Sequence, residues 1–420
     1  MNSQQLLYCI GMIDDEFVIE ADQPLMRTRP VGLRWAVLAA AGVLLALGAA
    51  LIMRVLLTRS PAPTHPPVLV QGAAGQKGDG PNAKQVYPDL PLLTISIDTA
   101  ESAGFGGVIL RDADEIGISN PWQPGIVVRE LPVYRNLAVA DTDYPSIALS
   151  ESELLALAEQ FAARLGEEID EVQYQYDTIV LKDHREESIL SGVRADVSSG
   201  EIVVASNGAV NLRFDPPVAL PKGLKFSASD ESNEQAQAAL DYLIEHYAEL
   251  LQLQQPYTAS PVQYIISGQQ LRRYIVYEGI GSVADQIAAY SLAPIEFVPD
   301  EAGQIYALVF RNLISINELV SMYPLVTPQQ AQGELLAGRY VANVPSEFLE
   351  GGVIKAEHVA GVELIYRVGS RERYYMPYYR FYVLLPTLQA PSQAEGLQHY
   401  GIFDVPAIDA CYLETPPLWD

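Results

Sequence analysis

Residues 35–53 (WAVLAAAGVLLALGAALIM) are 19 consecutive uncharged positions, and Val55, Leu56 and Leu57 extend the stretch past Arg54. Wound as a helix at about 1.5 Å per residue, such a run reaches roughly 30 Å, the hydrocarbon thickness of a bilayer. A buried core helix would carry a polar stripe, and this run has none. A cleaved leader would have a shorter apolar run, nearer the N-terminus and closed by a small-residue cleavage site. Here the small residues Ala39, Ala40 and Ala41 lie inside the run, Arg-Val-Leu-Leu-Thr-Arg follows it, and no cysteine stands just after it for lipid attachment. The expectation is a single transmembrane helix over 35–57, retained in the chain.

Arg27, Arg29 and Arg34 precede the stretch and Arg54 and Arg59 follow it, so the basic excess sets the N-terminus inside. The expected location is the cell membrane, with a cytoplasmic N-terminus and an extracytoplasmic C-terminal part. The chain carries 52 Asp+Glu against 26 Lys+Arg, a net charge of −26. Residues 1–59 hold five acidic side chains and five Arg, so the whole imbalance lies beyond the span. A surface of that sign repels nucleic acid and anionic polymers. A neutral glycan, a basic peptide or protein face, and divalent cations remain compatible. The two cysteines, Cys9 and Cys411, fall on opposite sides of the span, which excludes a disulfide within one chain and any Cys-rich metal site.

Before the span, Leu6, Ile10, Ile13 and Phe17 recur at spacings of four, three and four and share one face of a helix. Pro24 ends it. A lone helix of that length is marginal in water and gains stability by laying its apolar face on a partner; the plainer alternative is a frayed acidic tail. Its acidic flanks (Asp14, Asp15, Glu16) disfavour an anionic membrane surface. The stretch LLYCIGMIDDEFVIEAD resembles the short tail ahead of the single span in many membrane proteins of Gram-positive, clostridia-like bacteria, several of them anti-sigma-factor-like or sensor-associated regulators.

Beyond the span, residues 58–90 are rich in Pro and Gly without a hydrophobic period and read as a linker. Helix patterns then appear at 150–165, 233–253, 283–290 and 327–337. Ser150 with Glu153 forms a capping box, and Thr327 caps the last helix with Pro328 at its first position. Strand patterns follow each helix: VQYQYDTIVL, GVRADVSS and EIVVASNGAVNLRF; VQYIIS and RRYIVYE; PIEFV and QIYALVF; GVELIYRV and YYMPYYRFYVLL. The predicted fold class is α+β, an extracytoplasmic ectodomain of repeated helix-plus-antiparallel-meander units. Prolines and Gly223 within 215–232 place a boundary there. The expected division is a tail (1–34), the span (35–57), the linker (58–90), module one (91–226) and module two (227–420).

The α-then-β plan resembles PepSY-like modules and the membrane-anchored regulators of the Gram-positive cell-wall sensor kinase. The best-matching unit is the last, with TPQQAQGELLAGRY as helix, GVELIYRV as first strand and YMPYYRFYVLL as last. The resemblance implies a binding or inhibitory module rather than an enzyme.

Signatures of chemistry are sparse. Gly279-Ile-Gly281-Ser-Val-Ala284, followed by Glu296, has the outline of a dinucleotide fingerprint, but it sits deep in the chain and ends on Ala; an ordinary strand–turn–helix accounts for it. His65, His184, His246, His358 and His399 have no partner at metal-ligand spacing. The Asp112–Glu115 cluster does not match a calcium loop. No nucleophile elbow appears. No cofactor, metal or catalytic residue is expected. One cluster stands out: Tyr374, Tyr378, Arg380 and Tyr382, on one face of a strand, form a candidate recognition surface for sugar rings or a peptide, against the alternative that both faces are packed.

The function expected is a single-pass bacterial membrane protein whose non-catalytic ectodomain senses or binds a ligand. Its tail, through Leu6, Ile10, Ile13 and Phe17, would regulate a protein partner in the cytoplasm or membrane, such as a sigma factor or sensor kinase. A cell-wall glycan- or peptide-binding structural protein with an inert tail is the alternative, and a hydrolase built on an acidic pair the third.

Overall fold

Alternating runs of Val, Ile and Tyr dominate the folded part and make it a β-protein. The computed structural model describes residues 90–95, 107–139, 149–180, 186–229, 232–264, 268–369, 372–388 and 396–414. In chain order come β1 (Val108–Arg111), β2 (Glu130–Arg135), α1 (Glu151–Leu165), β3 (Ile169–Val180), β4 (Glu186–Val197), β5 (Gly200–Ala205) and β6 (Val210–Val218). Next are α2 (Asn233–His246), α3 (Ala248–Leu251), β7 (Pro256–Ala259), β8 (Val262–Tyr264), β9 (Gln270–Arg272), β10 (Tyr274–Glu278), α4 (Val283–Leu292), β11 (Ile295–Pro299) and β12 (Ile305–Phe310). The last group is α5 (Leu313–Ile316), β13 (Glu318–Pro324), α6 (Pro328–Leu336), β14 (Val359–Tyr366), β15 (Tyr374–Tyr375), β16 (Pro377–Leu384) and β17 (Gln398–Pro406).

The strands form three antiparallel sheets. An eight-stranded sheet runs β3-β4-β5-β6-β12-β11-β10-β7, a six-stranded sheet β14-β16-β17-β1-β8-β9, and a small one β13-β2-β15. This corrects the α+β expectation of self-contained helix-plus-meander units: the described residues form mostly β-sheet with few helices. The physical reason is that strands pair across the supposed units. β6 joins β12 through Leu212↔Leu308, and β1 joins β17 through Val108↔Gly401. The sheet made by β6 and β12 also runs straight through the proposed cut between 226 and 227.

The single-pass membrane expectation is not carried forward. No helix among the described residues is long and apolar enough to cross a membrane. The stretch 35–57 on which it was placed lies outside the described residues, as do the tail and most of the linker.

The helices form where their caps and periods place them. The Ser150 amide donates to the Glu153 carboxylate at 2.8 Å, and Gly166 closes α1 in the left-handed region at φ 75°. Leu154, Ala158, Phe161 and Ala162 line its buried face. The helix predicted over 233–253 is two pieces, because it leaves helical geometry at Tyr247 before α3. α1 and α2 cover the eight-stranded sheet on the stripe Val193, Ala195, Ile202, Val204, Leu212 and Phe214. α4 belongs to two cores. Its Ala289 packs with Ile275 and Tyr277, while Ile287, Ala288 and Leu292 pack with Leu364 and Trp122.

The two ends of the described part meet. Leu93 forms a parallel bridge with Leu413, its amide donating to the Tyr412 carbonyl at 2.9 Å and its carbonyl accepting from the Glu414 amide at 2.9 Å.

Candidate functional site

β16 carries the aromatic and arginine residues singled out from sequence. Its alternation is as expected: Tyr379, Phe381 and Val383 enter one core with Trp122, Phe403 and Val405, and Tyr378, Arg380 and Tyr382 point the other way. The recognition-surface expectation is nevertheless corrected. Tyr378 is 0% and Tyr382 3% exposed, Arg380 is largely enclosed, and Tyr374 is half-buried. β14 and β17 flank β16 on both edges, so the strand is central, and both of its faces are covered.

What the second face builds is a chain of charges. Glu363, Arg380 and Asp404 lie directly opposite one another across β14, β16 and β17. The Arg380 fork donates to both Asp404 oxygens at 2.9 and 3.0 Å. The Tyr382 hydroxyl donates to Glu363 at 2.7 Å. Arg367 contacts Glu372 at 3.0 Å and approaches Asp404 at 3.7 Å. Arg367 also lies over the Tyr378 ring at 5.3 Å, and Arg111 over the Tyr382 ring at 5.8 Å.

Burial works against the Arg380 charge, but the Asp404 contact outweighs it and holds the guanidinium above its ordinary pKa. Arg367 is raised the same way, with Glu372 as the main opposing charge. Burial first, then the carboxylates Glu372 and Glu363, push the Tyr378 and Tyr382 phenols well above theirs. These guanidiniums stay charged and these phenols neutral across the physiological range. The assembly ties β14, β16 and β17 together.

The dinucleotide-like string is a turn with its helix end already occupied. Gly281, at φ +99°, turns the chain into α4. There Asp285 accepts the Ser282 amide at 2.7 Å, and the Ser282 hydroxyl accepts the Asp285 amide at 3.4 Å. An aspartate thus takes the place an anion would use. A side chain on Gly279 would fall 2.3 Å from the Tyr257 ring, so an aromatic neighbour already lies against that backbone. Glu296 is held by the Arg273 fork at 2.8 and 2.5 Å. β10 and β11 are antiparallel neighbours, which a dinucleotide-binding βαβ unit forbids.

The remaining expectations scatter. Asp112 accepts from the Asp114 amide at 3.0 Å, and Glu115 accepts from the Tyr264 hydroxyl at 3.2 Å. His246 stacks on Tyr242 with centroids 5.3 Å apart. Among the described residues no group of three or more His, Cys, Asp or Glu could hold a metal ion. Cys411 is exposed. Leu6, Ile10, Ile13, Phe17, Cys9, His65 and His184 lie outside the described residues.

Two features escaped the sequence reading. On the face of the eight-stranded sheet opposite α1, Arg194 sits 3.0 Å from Asp196 and 2.9 Å from Glu201, and Arg213 reaches Glu201 at 3.0 Å. The alternation of charged with apolar residues in GVRADV and GEIVVA was the signal for this ladder. The second is the edge formed by β3. This strand has 12 residues, ends the sheet, and pairs among the described residues only with β4. None of residues 169–178 is buried, and Tyr176 is 51% exposed, its hydroxyl on Glu151 at 2.6 Å. β4 gains its second neighbour, β5, only from Gly192 onward, so the far half of the β3–β4 hairpin is a two-stranded ribbon.

A scan of protein-family models and a search of curated proteins found no match to this chain. The PepSY-like and anti-sigma-like resemblances therefore rest on patterns of residue types.

Proposed function

We propose that the chain is a non-catalytic binding protein that presents an acidic surface to a cationic partner. One observation carries this reading: five arginines are drawn inward, while Arg129, Arg135, Arg339 and Arg373 stay exposed. Arg380 and Arg367 are enclosed with Asp404 and Glu372, Arg273 with Glu296, and Arg111 and Arg272 are 8% and 5% exposed. The three interior pairs cancel themselves and so leave the chain's net charge of −26 unchanged. The glycan-binding alternative loses its aromatic surface, because Tyr378 and Tyr382 are interior. Of the acidic residues weighed for a hydrolase, Glu167 is engaged locally, accepting from the Ser198 hydroxyl at 2.9 Å and the Ser199 amide at 3.0 Å.

The test is anisotropy titration of the full-length chain against labelled deca-lysine and deca-glutamate at low and high salt. Salt-sensitive binding of deca-lysine alone is expected; equal binding of both polymers, or of neither, overturns the reading. A regulatory role through the tail is part of the same proposal. It predicts that full-length chain captures a signalling protein that Ile10→Asp and Ile13→Asp lose. Capture of the same set by all three sinks it.

A further inference from the structure

The open edge of β3 is not built to meet another copy of itself. An unpaired edge offers a row of backbone N–H and C=O groups to any extended chain. Of the usual protections, Ile169–Val180 lacks lysine and proline and has acidic residues and two register shifts. It carries Asp170, Glu171 and Asp177 and no basic residue. If two copies paired antiparallel about the strand centre, between Tyr174 and Gln175, three acidic side chains of each would be gathered into one two-strand seam with no basic residue to offset them. Like charges so gathered are repulsive. A strand of opposite charge meets no such penalty.

Register shifts at Ile169/Glu171 and Gln175/Tyr176 divide the edge into two regular runs, Glu171–Gln175 and Tyr176–Val180. Within them the two faces differ in chemistry. Val172 opposes Ala195 and Tyr174 opposes Val193, so these two extend the apolar stripe beneath α1, and Tyr176, opposite Leu190, stands exposed at its end. Glu171, Gln173, Gln175 and Asp177 lie on the other face. An added strand would place alternate side chains beside Val172 and Tyr174, and the intervening ones beside Glu171 and Asp177.

Resting on the acidic-surface reading, we propose that the β3 edge receives a basic, extended peptide segment as a ninth strand, one in which apolar residues alternate with Lys or Arg. Backbone hydrogen bonds supply the grip, the apolar positions lengthen the core stripe, and the basic positions meet Glu171 and Asp177. Alternation is the specificity element. A block of lysines satisfies the charge and misses the stripe.

The experiment uses the full-length chain and four nine-residue peptides: alternating Val/Lys, alternating Val/Glu, a block arrangement of the same Val and Lys, and the alternating Val/Lys peptide with every peptide nitrogen methylated. Affinity is measured by calorimetry and the contact by hydrogen exchange. The expected result is that the alternating Val/Lys peptide binds most tightly and protects amides within 169–180, while the methylated peptide does not bind there. The double substitution Glu171→Lys, Asp177→Lys should weaken it by roughly tenfold, the loss of two partly exposed ion pairs, and transfer the preference to the Val/Glu peptide. If block and alternating peptides bind alike without protection of 169–180, the edge proposal falls and the acidic-surface reading survives. If no lysine peptide binds, both fall. Equal binding of the methylated peptide overturns strand addition even where the charge preference holds.

Discussion

Asp404→Asn is the sharpest probe of the interior charge chain. The side chain is 8% exposed, takes both prongs of Arg380 at 2.9 and 3.0 Å, and lies 3.7 Å from Arg367. Asparagine preserves the volume, withdraws the negative charge and turns an NH2 donor toward a guanidinium that can only donate. Two charges about 4 Å apart in a partly screened interior interact by about 4 kcal/mol. Removing one member of a buried pair typically costs about 3–5 kcal/mol, because the other is left uncompensated. We expect a loss of about 4 kcal/mol, which at about 2 °C per kcal/mol for a folded part of this size lowers Tm by about 8 °C. Urea denaturation followed by circular dichroism should show a lower midpoint with an unchanged slope. A cycle with Arg380→Met should make the double variant more stable than the two single losses predict, since it removes both charges together. A single-variant loss under about 1 kcal/mol, or strictly additive losses, would refute the claim that this face is a tightly paired interior.

Other outcomes follow from the same coordinates. Burial raises the Glu115 carboxyl above its ordinary pKa, so the folded state holds that proton more tightly than the unfolded chain and loses this contribution as pH rises through the raised value. Glu115→Gln should therefore gain stability relative to the parent as pH rises above the ordinary Glu range, read from paired urea curves; a constant difference would contradict the assignment. Ser282→Ala removes the cap of α4 and should cost about 1 kcal/mol, a loss that Ser282→Asp should largely avoid. Leu243→Ala opens a cavity under α2, where the side chain is 0% exposed, and should cost about 2–5 kcal/mol by the same denaturation assay.

Local patterns in the sequence located most of the elements. The period of 150–165 gave α1 with its Ser150–Glu153 box, and Thr327 with Pro328 gave the start of α6. Alternation gave β3 to β6, β10 to β12, β14 and β16. What it could not give was which strand lies beside which. β17 reads QHYGIFDVP, with Gly401 and Asp404 breaking the alternation, yet it lies between β16 and β1 in the six-stranded sheet. Without it β16 looks like a terminal strand with a free polar face, and Tyr378, Arg380 and Tyr382 look available. Register between residues as distant as Val108 and Gly401 is decided by the whole core. The β3 edge was missed for the converse reason, since the openness of a strand depends on neighbours that no local pattern records.

The bridge between Leu93 and Leu413 also fixes how the folded part bears tension. The two segments run parallel there, so a pull on the chain ahead of residue 90 and a pull on the chain after residue 414 act along the strands in opposite senses. The Leu93–Tyr412 and Leu93–Glu414 backbone bonds and the Thr94–Glu414 contact at 2.8 Å are then loaded together in shear, not opened one at a time like a zip. The same proximity of entry and exit means that rejoining the ends and cutting elsewhere disturbs little of either large sheet. A pull on both segments would thus meet Leu93 and Leu413 as a clasp loaded along its length.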